Sequence, residues 1–482
     1  MTYRLSEKHL GKCASGVVTP QYDRSSASCG VMHIGVGNFH RAHQAIYFDD
    51  LLASGELNWA ITGVSLRSPK TRDALKPQDF LYTVATPGVT STYRVVGALK
   101  DIIYAVEEFE KFLAKFRDLS LNIITVTVTE KGYCIKNGCI DIEHPHLAAD
   151  LAGKNTPSAV YGFIAAGLVE RAKSGQGKIT IIGCDNVSGS GDLLREGVLE
   201  VLDRQCRAAA DWTRESVSFV SSVVDRVVPA TTEALVRDVT KNCGLSDEWP
   251  VAAEPFSQWI IEDRFKGKRP PLERSGVQFV RDVAPYERMK LQLLNATHTV
   301  AAATGFLLRV SDVHDVMLDA SAGPFIRSFL LNAILPLVEV PDLVDGAEYA
   351  ESILRRFANA HSPYGVQQVA TDSSQKIAIR LFPTIDSMLA QRRRPPELIK
   401  ALAIWLEYVR QAALSDTVND LNADRLIEAV WARKSYEDLT QNLLEIAGAA
   451  KFKFVRDQVF MDMLVCEFET LVRRGIRQFV ST

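Results

Sequence analysis

The chain has 482 residues, 47% hydrophobic and 23% charged, with a formal net charge of -3, an ordinary globular composition with room for roughly two or three domains. No strongly basic patch and no apolar run of membrane-spanning length occurs, and the polar N-terminal residues lack a signal-peptide pattern, so nucleic acid and membrane are not expected partners and cytoplasm is the expected compartment. The eight cysteines are scattered without a C-x-x-C pair or metal-ligand spacing, which predicts reduced thiols and no metal site.

Up to about residue 280, short β-rich runs at 30–34, 59–65, 121–128 and 178–183 alternate with amphipathic stretches, the pattern of a doubly wound α/β sheet. The first run leads into Gly35-Val36-Gly37-Asn38-Phe39-His40-Arg41-Ala42-His43 and a helical stretch through Leu52. A strand, a glycine turn and a helix start can hold a pyrophosphate. The third glycine of that pattern is replaced by His40, so a tight turn without a ligand stays open. His40, Arg41 and His43 are either phosphate contacts or the polar edge of the helix.

Two further runs end in polar residues at the expected carboxyl edge of the sheet: Thr129-Glu130-Lys131-Gly132-Tyr133 and Gly183-Cys184-Asp185-Asn186. Both fit ligand contacts and both also fit ordinary turns. The polar, basic stretch 265–271 reads as a surface loop before a boundary. From about residue 285 the apolar residues recur at helical spacing, as at 323–336 and 396–406, so the expected division is an α/β domain over 1–284 and a mostly helical domain over 285–482.

Residues 286–298 predict a helix on which chemically useful polar groups interrupt an apolar pattern. At about 100° per residue, Glu287, Lys290, Asn295 and His298 fall in an arc of about 140°, together with Leu291 and Leu294. A lysine on such a buried face loses hydration, its pKa falls, and it can serve as a general base near neutral pH without a metal. The alternative is a core helix whose lysine pairs with Glu287 and whose other polar groups are merely hydrogen-bonded.

Taken together, these segments resemble the polyol-specific long-chain dehydrogenases, which include mannitol 2-dehydrogenases, arabinitol dehydrogenases and fructuronate reductases. The resemblance runs over nearly the whole chain. It rests on residues 35–44, Thr129–Tyr133, Cys184-Asp185-Asn186, residues 217–229, residues 254–259 and the Lys290/Asn295/His298 helix. It implies a Rossmann-like N-terminal domain, a helical C-terminal domain, and metal-independent hydride transfer between a secondary alcohol and a nicotinamide. Lys290 matches the family's general base, Asn186 and Asn295 the amides that stabilise the alkoxide, and Glu287 a group that guides protons to the lysine. His298, Asp225 and Lys376 match substrate-positioning residues. Gly35, Gly37, Asn38, Phe39, His40, Arg67, Glu130 and Asp185 are the expected cofactor contacts.

Lys131 stands where polyol enzymes tend to have glycine, and Gln368 where mannitol dehydrogenases carry arginine. Both favour a carboxylated substrate, D-mannonate or D-fructuronate. Residues 33–40 and 49–52 look more like mannitol dehydrogenase, which keeps mannitol with fructose, or arabinitol, as the alternative. NAD is the expected cofactor. NADP stays possible because residues 65–70 place Arg67 and Lys70, and no carboxylate, after the second strand. A monomer or small homo-oligomer is expected. A nucleotide-binding protein without turnover is the remote alternative, and a binding module has no use for a buried lysine beside amide donors.

Overall fold

The β-branched runs of the N-terminal half become the middle of an eight-stranded sheet. The computed structural model describes residues 2–136, 138–153, 156–361 and 364–481, and the chain divides into two units, Met1–Ala284 and Pro285–Thr482. In the first unit the strands are β1 (Val31–Ile34), β2 (Ile61–Ser65), β3 (Leu99–Tyr104), β4 (Ile123–Val126), β5 (Ile179–Gly183), β6 (Val217–Asp225), β7 (Gln258–Glu262) and β8 (Gln278–Val280). Their spatial order is β8-β7-β6-β5-β4-β1-β2-β3. Strands β1 to β6 pair in parallel, β7 runs antiparallel to β6, and β8 is parallel to β7.

Side chains of successive strand residues face opposite sides. Val31, Ile61 and Ile123 therefore pack on one face with Phe48, Leu51 and Trp259. Met32, Ile34, Ile124 and Val126 pack on the other with Phe112, Phe163 and Leu168. Burial of both faces explains why these strands read as continuous apolar runs.

After β1 the chain forms two helices, α1 (Asn38–Ala42) and α2 (Gln44–Ala53), where the sequence suggests one. The break falls at His43, with φ -126° and ψ -91°. Carbonyls that a continuing helix would use are taken by side chains: Tyr82 donates to Arg41 O at 2.7 Å and Arg226 to Ala42 O at 2.6 Å. On the far side of the sheet, α3 (Val160–Lys173) and α4 (Ser190–Gln205) complete the double winding.

The second unit is helical. It opens with α5 (Ala284–Lys290), a wide turn of π type (Leu291–Asn295) and α6 (Ala296–Leu308). Further along lie α7 (Gly346–Phe357), α8 (Val366–Ala370), α9 (Ser373–Arg380), α10 (Pro396–Leu414) and α11 (Gln458–Arg474). Helix α10 is buried on most of its circumference, through Leu402, Trp405 and Leu406 among others, and packs against α6 and α11. No helix among the described residues is long and apolar enough to cross a membrane.

Candidate active site

The strand order reverses between β1 and β4, and at such a point the carboxyl ends of the strands leave a crevice. The turn after β1 occupies it. Gly35 has φ +102°, and a Cβ there would lie 1.8 Å from Thr127 O, so the backbone just after β4 approaches where no side chain fits. A Cβ on Gly37 would meet nothing within 4 Å, which leaves open space over the second glycine.

Around this turn lies a cleft of about 490 Å³. Gly35, Gly37, Asn38 and Phe39 line it, as do Arg67 and Ser68 after β2, and Thr129 and Lys131 after β4. These residues fit a dinucleotide: the glycines admit a pyrophosphate, and the end of β2 is where an adenosine ribose is read. Arg67 and Lys131 are exposed, and no ion pair among the described residues joins Lys131 to Glu130. The side chain of Asn38 bonds Thr231 Oγ1 at 3.2 Å and Arg41 at 2.6 Å, so it braces the turn.

Three expected cofactor contacts sit elsewhere. His40 is fully buried, its ring stacked on His33 at 3.3 Å with 10° between planes. The short α1 turns this side chain into the interior, and Arg41 and His43 are interior struts in the same way. Asp185 is buried and its carboxylate accepts from Val128 N at 3.0 Å and Thr129 N at 2.9 Å. It shapes the loop that carries Lys131, and burial raises its pKa against the lowering effect of those two amides. Glu130 is exposed and does not line the cleft.

Asn186 follows β5, and Asp225 ends the neighbouring β6. Both therefore stand at the carboxyl edge of the sheet, Asn186 exposed and Asp225 buried.

In the helical unit, Lys290 is the last residue of α5 and is buried, while Glu287, Asn295 and His298 are half-buried. The expected continuous α-helix is broken by the π turn between Lys290 and Asn295. In an α-helix, residues five apart diverge by about 140°. The i→i+5 bonding of a π turn winds less per residue and reduces that divergence. Asn295 is thereby brought toward the face of Lys290.

His298 lies against the rings of Phe357 (5.0 Å between centroids) and Tyr364 (4.7 Å, edge-on). Lys376, on α9, donates to Val369 O at 3.1 Å. Arg380, one turn further along α9, donates to Thr299 Oγ1 at 2.9 Å and reaches Asn295 O at 3.4 Å. Gln368 is exposed and lines a separate groove of about 980 Å³ with Phe306, Arg309 and Ser415. The aromatic corner and the Arg380 contact are absent from the sequence reading. The only local signs of the latter are the i,i+4 spacings of Thr299 from Asn295 and of Arg380 from Lys376.

Comparison with known proteins matches residues 29–274 to the mannitol dehydrogenase Rossmann domain and residues 282–470 to the mannitol dehydrogenase C-terminal domain. A mannitol 2-dehydrogenase of Phaeosphaeria nodorum is 34% identical over 100% of this chain and 85% of its own length. The D-mannonate oxidoreductase of Escherichia coli is 31% identical over 96% of this chain and 98% of its own. Among solved structures, Pseudomonas fluorescens mannitol 2-dehydrogenase in ternary complex with NAD and D-mannitol superposes with a TM-score of 0.85 at 32% identity, covering 99% of this chain and 98% of that one.

Proposed function

The chain belongs to the mannitol dehydrogenase family, and from that premise we propose that it interconverts a secondary alcohol of a sugar acid or sugar alcohol with the 2-keto sugar, D-mannonate and D-fructuronate being the favoured pair. It is a nicotinamide-dinucleotide-dependent oxidoreductase acting on a CH–OH group. A bound nicotinamide would supply the hydride acceptor.

The chain's own residues handle the proton and the developing charge. Lys290, unprotonated, takes the hydroxyl proton. Asn295 donates a hydrogen bond to the alkoxide as charge builds on oxygen, the stabilisation that an oxyanion hole provides. Glu287, on the same helix, passes the proton on to solvent, and His298 orients the substrate from its aromatic corner. Lys376 contacts the sugar chain, and Asn186 and Asp225 are further candidates for an amide donor and a positioning carboxylate. Gly35, Gly37, Phe39 and Arg67 hold the dinucleotide.

The observation that supports this reading is the π turn that separates a buried lysine from an amide residue. Lys290→Ala should lower kcat/KM by several orders of magnitude and leave the cofactor Kd nearly unchanged. Near-normal turnover in that variant would remove the mechanism. Mannitol with fructose is the second reading, favoured by the 34% identity to a mannitol 2-dehydrogenase.

A further inference from the structure

Helix α9 carries Lys376 and, one turn later, Arg380. The Arg380 guanidinium donates to Thr299 Oγ1 at 2.9 Å and reaches Asn295 O at 3.4 Å, and the same threonine hydroxyl donates to Asn295 O at 3.0 Å. All three groups meet where the π turn ends and α6 begins. Asn295 precedes the first residue of α6, so its carbonyl, which has two lone pairs, can accept side-chain donors beside the first backbone bond of that helix. The charged donor and the hydroxyl both converge on the carbonyl of Asn295.

The structure assigns to Arg380 the role of a positioning residue that, with Thr299, clamps the Asn295 end of the π turn onto α9 and so sets the register between Asn295 and Lys376. The inference rests on the reading of Asn295 as the alkoxide donor. It goes beyond that reading by naming the groups that hold the donor in place and that tie the base-bearing segment to the helix bearing the sugar-contacting lysine. Arg380 touches neither substrate nor cofactor in this role. A guanidinium suits it because a single Nη1, which carries two N–H groups, reaches both acceptors.

The test uses the full-length enzyme and the variants Arg380→Met, Thr299→Val and Thr299→Ser, with Asn295→Ala as reference. Steady-state rates of alcohol oxidation against pH are measured beside the Kd for NADH from fluorescence. Arg380→Met should lower kcat about tenfold and raise the alcohol KM several-fold, with the cofactor Kd unchanged. The pH at which oxidation reaches half its maximum should move upward, because a misplaced amide stabilises the alkoxide less. Thr299→Val should reproduce the kcat loss, Thr299→Ser should recover most of it, and the Arg380→Met/Thr299→Val pair should lose little more than the worse single variant.

Additive losses, or a lowered melting temperature with an unmoved kcat and pH profile, would overturn the clamp. If Arg380→Met does not fold, Thr299→Val and Thr299→Ser decide the matter by the same criteria. The reference separates the two levels of argument. Near-normal turnover in Asn295→Ala overturns the alkoxide role and the clamp together, whereas a slow Asn295→Ala beside a normal Arg380→Met overturns the clamp alone.

Discussion

Lys131 is the residue on which the substrate reading turns. Its ammonium is exposed on the wall of the cleft that also holds Gly35 and Arg67, and no ion pair among the described residues joins it to Glu130. A free ammonium can pair with a C1 carboxylate, an interaction that a neutral polyol cannot use. The same placement lets it meet a phosphate of the dinucleotide, so substrate and cofactor must be measured together. Lys131→Gly restores the residue typical of polyol enzymes, and Lys131→Gln removes the charge without adding backbone freedom. Both should raise KM for fructuronate about tenfold, a loss of about 1.4 kcal/mol, with KM for fructose and Kd for NADH changed less than about twofold. Equal losses on the two sugars, or a weakened NADH complex, would assign Lys131 to the cofactor and move the preferred substrate to mannitol.

At the scale of elements, the π turn makes a prediction that a plain helix would not. Such a turn accommodates one residue more than an α-helix of the same length. Deleting Gln292 should let it relax to α-helix, with Lys290 and Asn295 then four apart and still on one face, so kcat should stay within about tenfold of wild type. Deleting Ala296 should relax the same turn, but Asn295 would keep its five-residue spacing and swing about 140° away from Lys290. That loss should match removal of the amide, on the order of 3 kcal/mol in the barrier, at similar helix content by circular dichroism. Equal activity in the two deletions would show that alignment across the turn does not matter. The contrast also marks what was legible in the sequence. The alternation of β-rich runs and amphipathic stretches, the helical C-terminal half, the glycine turn and the polar face with Lys290 are local patterns, and local patterns can be read from spacing. The π turn, the break at His43 and the burial of His40 and Asp185 depend on partners far away in the chain, such as Tyr82, Arg226 and the amides of Val128 and Thr129. No window around those residues contains the partners.

For the molecule as a whole, the stacked histidines beneath the glycine turn make stability depend on pH. His33 Nδ1 bonds Thr125 Oγ1 at 2.7 Å and its Nε2 bonds Gly35 O at 3.1 Å, so a buried imidazole ties the functional turn to β4. Burial lowers the pKa of His33 from 6.5 to about 3. Burial, reinforced by the neighbouring His33, also pushes His40 well below its usual value. Both rings are therefore neutral in the folded state through the range where the unfolded chain takes up protons. The unfolded state then binds more protons as pH falls below 6.5, and stability that is full above that value is lost progressively toward about 3. For His33 alone the loss is about 2 kcal/mol by pH 5, and His40 acts in the same direction. The buried carboxyls of Asp185 and Asp247, raised by desolvation, act in the opposite sense, since there the folded state holds the proton more tightly. The histidine contribution is isolated by comparing wild type with His33→Asn/His40→Phe, which keeps a ring in the stack and removes both titrating groups. In urea denaturation at pH 7.5 and pH 5, the wild type should lose at least about 2 kcal/mol more than the variant. Parallel losses would mean that the imidazoles are charged, or solvated, inside the fold.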